Sequence, residues 1–127
     1  MAYHKHILIK AYVSNAPRVN EEELNSWLTS LVENINMKAI IPARSKYVSA
    51  EGNAGLTGSV NIETSHIAVH IWCEEQPNLI QMDVYSCRDF QIETILNKLK
   101  EWSLISYHYW LIDRNGTGFD LLEIKSS

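Results

Sequence analysis

An α+β two-layer sandwich, an antiparallel-rich sheet with two helices packed on one face, is the fold class this sequence predicts. Three observations predict it. Two segments carry apolar residues at helical spacing on one side only. Short alternating segments separated by turn residues fill most of the remainder. The order is strand, helix, several hairpin-linked strands, helix, strand.

His6 to Val13 alternates with Ile7, Ile9 and Ala11 on one side and reads as a first strand, after which Pro17 closes a short loop. Asn20 followed by Glu21, Glu22 and Glu23 forms an N-cap with an acidic first turn. Leu24, Trp27, Leu28, Leu31, Val32 and Ile35 then recur at helical spacing, predicting a helix with one buried stripe. A second strand lies around Ala39 to Ile41, and Pro42 marks a strand end or a sheet edge. SAEGNAGLTG reads as a glycine-rich loop leading into a third strand. HIAVHIW is a fourth strand, QPN a turn, and LIQMDVYSC a fifth strand ending at Cys87. Asp89 is placed to cap a second helix whose stripe is Phe90, Ile92, Ile95, Leu96, Leu99 and Trp102. LISYHYWLI is a sixth strand, Asn115 and Gly116 a hairpin-type turn, and FDLLEI a returning seventh.

One feature of the alternation is unusual. Val60 and Ile62 lie at even positions, whereas Ile67, Val69 and Ile71 lie at odd ones. A single strand cannot change phase without turning its apolar set to the other face. The flip across Glu63, Thr64 and Ser65 therefore predicts two strands interrupted by a bulge or tight turn.

The 127 residues, 46% of them hydrophobic, suit one domain spanning 1–127 with a single core. A net charge of -4 without a basic cluster argues against a nucleic-acid surface. No apolar run approaches the roughly 20 residues of a membrane helix, and the N-terminal residues lack a signal-peptide layout. A soluble, cytoplasmic protein is expected, in which Cys73 and Cys87 stay reduced.

Taken singly, the chemistry-bearing residues do not identify a function. His66 and His70 have the spacing of zinc ligands on a helix, but on a strand they lie about 13 Å apart, too far for one ion, so no metal is expected. Partly buried, backbone-bonded histidines are the plainer reading. His4 and His6 share a face near the terminus, where fraying is expected, and receive no function. Ser65 beside His66 lacks a nucleophile elbow and an acidic third member. Cys87, between a strand and a helix, is either a small packed residue or a thiol activated by the helix N-terminus. GNAGLTG lacks the lysine and spacing of a phosphate loop.

Together, however, G-L-T-G at Gly55 to Gly58, S-H-I-A-V-H-I-W at Ser65 to Trp72 and D-V-Y-S-C at Asp83 to Cys87 resemble the small prokaryotic S-adenosylmethionine decarboxylases in order and spacing. The likeness covers nearly the whole chain. It implies a self-processing, pyruvoyl-dependent carboxy-lyase that supplies decarboxylated S-adenosylmethionine for polyamine (spermidine) synthesis. Cleavage would fall between Thr64 and Ser65: the Ser65 hydroxyl attacks the preceding carbonyl, the amide becomes an ester, and elimination leaves a pyruvoyl group. A strained turn would favour such attack. On the same resemblance His70 transfers the proton for the elimination, Thr57 steadies the oxyanion, His66 shapes the turn, and Cys87 protonates the product carbon. Trp72 and Tyr85 would line the substrate pocket. The resemblance further implies a homodimer with its sites between the two copies.

The sequence departs from the family pattern at several positions. Thr64 stands where the family has Glu, and E-G-N-A-G at Glu51 to Gly55 replaces a segment whose aromatic ring stacks on adenine. Cys73 replaces a proline, and Arg88 replaces a glycine, where it either grips a substrate carboxylate or is simply solvated. These departures leave two other readings open: a pyruvoyl decarboxylase of a small amino acid such as arginine or ornithine, and an unprocessed, non-catalytic homologue that binds a ligand or partner.

Overall fold

The computed structural model describes residues 4–127. Its elements run β1 (Lys5–Val13), α1 (Glu21–Asn34), β2 (Ala39–Val48), β3 (Gly55–Ile62), β4 (Ser65–Trp72), β5 (Asn78–Ser86), α2 (Ile92–Lys100), β6 (Leu104–Asp113) and β7 (Asp120–Ser126). All seven strands join one sheet in the order β2-β3-β4-β5-β1-β6-β7, and every neighbouring pair is antiparallel. The α+β expectation holds.

Alternation assigns the two faces. Ile7, Ile9, Ala11 and Val13 of β1, Ile67, Val69 and Ile71 of β4, and Ile80, Met82 and Val84 of β5 are buried toward the helices. Against them pack Leu24, Trp27, Leu28, Leu31 and Val32 of α1 and Ile95, Leu96 and Leu99 of α2. Stacking of Trp27 on Trp102, with ring centroids 4.0 Å apart, joins the two helical segments. Asn20 caps α1 as expected, its side-chain oxygen accepting from the Glu23 N–H at 3.1 Å.

The phase change proves to be a two-residue hairpin. Ile62 faces Ser65 and Asn61 faces His66, so only Glu63 and Thr64 form the turn. In such a hairpin an even-numbered residue always faces an odd-numbered one. Val60 and Ile62 therefore share the helix-side face with Ile67 and Val69.

Three local expectations need correction. The second strand extends beyond Ile41 to Val48, and of the two readings of Pro42 the sheet edge holds, because β2 is an edge strand that tolerates a missing N–H. Its register to β3 shifts between Ile41 and Arg44. GLTG belongs to β3 rather than to the loop. At Gly55 a Cβ would lie 1.7 Å from the Ile71 carbonyl oxygen, an approach only glycine permits. Gly55→Ala is accordingly expected to destabilise the fold by at least ~2 kcal/mol, read by chemical denaturation. Finally, Asp89 does not cap α2. Gln91 occupies the cap without a side-chain bond, and Asp89 instead pairs with the Lys5 ammonium at 2.6 Å.

Candidate active site

The opposite face of the sheet is not covered by either helix. It carries His6, Leu8 and Lys10 from β1, His66 and His70 from β4, Gln81, Asp83 and Tyr85 from β5, and His108 and Trp110 from β6, placed by the same alternation. Ser65 and Cys87 lie where β4 begins and β5 has just ended, beside the Glu63-Thr64 turn.

At that turn Ser65 has a φ of 148°, a conformation that L side chains rarely adopt. Such strain is worth on the order of 1–3 kcal/mol and persists only where the surroundings enforce it. Those surroundings are visible. The Cys87 N–H donates to the Thr64 carbonyl at 2.9 Å, and the Ser86 hydroxyl donates to Thr64 Oγ1 at 2.9 Å. Thr64 Oγ1 in turn lies 3.2 Å from Met37 Sδ, and the Arg88 N–H donates to Ser86 Oγ at 3.0 Å. The peptide bond that a Ser65 hydroxyl would attack thus has a strained residue after it and a fixed donor on its carbonyl. A backbone N–H on that oxygen favours the negative charge an attack would place there.

Thr57 and His70 face each other across β3 and β4, with Oγ1 and Nδ1 3.2 Å apart. They lie five residues along β4 from Ser65, about 16 Å at strand spacing. Trp72 lies with them. Its indole N–H donates to Asn53 Oδ1 at 2.7 Å, and it lines a small cleft with Thr57 and His70. Tyr85, paired in register with His66, is near the Ser65 end. Within one chain the expected site residues therefore form two groups: Thr64, Ser65, His66, Tyr85 and Cys87 at one end, and Thr57, His70 and Trp72 toward the other. A shallow hollow of ≈ 370 Å³ lies between them on the open face, lined by Leu8, Lys10, His70, Gln81, Asp83 and Trp110 among others.

Sequence reasoning missed a hydrogen-bonded array beside Ser65. Asp83 Oδ2 accepts from His6 Nε2 at 2.7 Å and from His66 Nε2 at 2.8 Å. Burial pushes the Asp83 carboxyl pKa up, but the hydrogen bonds from His6 and His66 and the favourable electrostatics of the two rings outweigh it and hold the group below its ordinary value. An Arg114 N–H reaches His6 Nδ1 at 3.2 Å, and its guanidinium lies 3.9 Å from the Tyr85 ring centroid. His4 Nδ1 is 2.8 Å from the Tyr85 hydroxyl. Far from fraying, His6 lies in a strand with neighbours on both sides.

Two histidines and an aspartate whose ligand atoms converge are a candidate metal set. The Arg114 bond opposes that use. An arginine can only donate, so His6 Nδ1 must accept, which places the ring proton on Nε2, the atom that would have to ligate.

Comparison with known proteins converges on one family. The family model for S-adenosylmethionine decarboxylase matches residues 5–111. The S-adenosylmethionine decarboxylase proenzyme of Archaeoglobus fulgidus is 27% identical over 112 residues, covering 87% of this chain and 96% of that protein. The crystal structure of the adenosylmethionine decarboxylase from Aquifex aeolicus superposes with a TM-score of 0.67 at 24% identity, covering 91% of this chain and 93% of that one, which speaks to the fold. The matched span takes in every expected site residue and ends before β7.

Proposed function

This chain belongs to the S-adenosylmethionine decarboxylase family, and from that premise we propose that it cleaves itself between Thr64 and Ser65 and decarboxylates S-adenosylmethionine at the group so formed. The observation that carries this reading is the Ser65 turn: a strained residue follows a carbonyl already held by the Cys87 N–H. The reading treats the chain as one decarboxylase unit, as its single seven-stranded sheet supports. Family membership favours S-adenosylmethionine over a small amino acid, and the strained turn favours a processed chain over a silent homologue.

The main chain at position 65 would hold the pyruvoyl group, which would supply an electron-withdrawing carbonyl for decarboxylation. What the chain's own residues do follows from their places. The Cys87 N–H steadies charge on the Thr64 oxygen during the cut. The Cys87 thiol, at the same end of the sheet, delivers a proton to the product carbon. Tyr85 flanks that end on the open face.

His70, paired with Thr57, moves the proton for the elimination, but not toward the Ser65 of its own chain, about 16 Å away. A second copy resolves the distance. Stacking two open faces about a two-fold axis running across the strands would bring each Thr57–His70 pair over the end of the other copy's β4 that begins at Ser65. The open face carries material for such contact, since Leu8, Trp110 and Ile124 lie in one cross-strand row and are 42%, 45% and 52% exposed. The proposal is therefore a homodimer with two composite sites.

Co-expression of two inactive variants tests it. Ser65→Ala and His70→Ala, each inactive alone, should together recover about a quarter of wild-type turnover. Half the dimers are mixed and each has one intact site. In the mixture only the His70→Ala chain should be cut. Turnover no greater than that of the separate variants would defeat the shared site.

A further inference from the structure

We infer that Asp83, steadied through His6 by Arg114, is a positioning residue that clamps the new N-terminal end of β4 after the chain is cut. This inference rests on the processing reading above and extends it to residues that reading leaves without a role.

Breaking the bond between Thr64 and Ser65 destroys the tether of a two-residue hairpin. Ser65, formerly held from both sides, becomes the first residue of its fragment. A strand end is where a ladder frays most readily, and the reacting group would stand at that end. Something must hold it within a fraction of an ångström of its working place.

The structure gives each future end its own anchors. On the upstream side, the Thr64 carbonyl is held by the Cys87 N–H, Thr64 Oγ1 by the Ser86 hydroxyl, and the Glu63 N–H by the Lys38 carbonyl at 2.9 Å. None of these bonds involves Ser65. On the downstream side, beyond the ladders to Ser86 and Tyr85 on β5 and to Ile62 and Asn61 on β3, the first side chain is His66, and it is tied to Asp83 at 2.8 Å. Asp83 is three residues before Ser86 on β5, within the strand rather than at its end. The clamp therefore reaches from the cut end back into the body of the sheet.

The rest of the array keeps Asp83 in place. His6 comes from β1, the strand on the other side of β5, and donates to the same carboxylate oxygen. Arg114 donates to the far nitrogen of His6, fixing the tautomer that points an N–H at Asp83, and lies over the Tyr85 ring. Three strands thus converge on one oxygen beside the residue that the cut sets free. A charged acceptor strengthens both bonds relative to neutral ones.

Amide hydrogen exchange of the segment 65–69 tests the clamp, measured on the whole protein with Asp83→Ala in two backgrounds. In the self-cleaved protein the substitution should speed exchange of this segment at least tenfold. In the uncut Ser65→Ala background, where the hairpin still tethers the strand, the same substitution should change it less than about threefold. Turnover should fall with kcat while KM stays within about twofold, since the end moves but the pocket remains. If Asp83→Ala prevents folding, His66→Leu removes the same bond from the other side and must show the same dependence on cleavage. Equal acceleration in both backgrounds, or none in either, would overturn the clamp and leave the processing reading standing. So would an Asp83→Ala chain that folds but is not cut, because Asp83 would then act before the bond breaks. A wild type that stays whole would overturn the processing reading and the clamp together.

Discussion

Ser65→Ala should yield a single uncut chain with no decarboxylase activity, melting within ~2 °C of an uncleaved wild type. The expectation follows from two separable properties of the position. Its hydroxyl is the only atom at the turn proposed to attack the Thr64 carbonyl, so removing it removes the cut and with it the reactive group. Its backbone strain is independent of that hydroxyl, because alanine has the same Cβ and meets the same difficulty at a φ of 148°. Ser65→Gly separates the two. Glycine adopts positive φ without that difficulty, so relief of on the order of 1–3 kcal/mol of strain should outweigh glycine's greater unfolded-state entropy of about 0.5–1 kcal/mol. The glycine variant should therefore also be uncut, yet melt higher than the alanine variant by roughly 3 °C or more. Intact mass under denaturing conditions reads the cut, and a thermal scan reads the strain. Equal melting of the two variants would remove strain from the account of processing.

How much of this was legible in the sequence depends on which interactions are local. Both helices could be read because their stripes, Leu24 to Ile35 and Phe90 to Trp102, repeat at local helical spacing and need no knowledge of the partner. The break across Glu63, Thr64 and Ser65 was legible from parity alone, but a bulge and a two-residue turn change parity alike, and only the pairing of Ile62 with Ser65 selects the turn. The length of β2 beyond Pro42 and the role of Asp89 were misread for a shared reason. Whether a proline ends a strand depends on whether the strand is at an edge, and whether an aspartate caps a helix depends on whether a lysine competes for it. Lys5, 84 residues earlier, wins Asp89.

The candidate site divides in the same way. Ser65, His70, Thr57 and Cys87 were legible through a resemblance carried by contiguous motifs. Their separation into two ends was not, although β4 alone contained the information: five residues of strand cannot bring Ser65 and His70 together. His6 was set aside because it lies near the terminus in sequence. Sheet order makes β1 an interior strand between β5 and β6, and no local pattern reveals that. The usable signal was its alternation with Leu8 and Lys10, which places it on the face opposite the core. Arg114 follows β6 and meets His6 only through the β1–β6 pairing.

Cys87 should show its two roles as two separable phenotypes. The backbone N–H that holds the Thr64 carbonyl survives any substitution except proline, so Cys87→Ala should still cut itself into two fragments. Removing the thiol removes the proposed proton donor to the product carbon. General acid catalysis contributes typically 10²–10⁴-fold, so turnover should fall by roughly 10²-fold or more while self-cleavage changes only a few fold. Cys87→Ser, isosteric but a poorer acid near neutral pH, should fall between alanine and wild type in turnover and match alanine in cleavage. The contrast with Cys73 serves as the control. Cys73 lies at the far end of β4, where its Sγ is 3.5 Å from the Ala54 carbonyl, so Cys73→Ala should leave both cleavage and turnover within about twofold of wild type. Loss of self-cleavage in Cys87→Ala would mean that the thiol acts during the cut, and the oxyanion-holding role would pass from the backbone to the side chain. Undiminished turnover would take the proton-donor role away from Cys87 and direct the search to the other proton carriers at that end of the sheet, His66 and Tyr85.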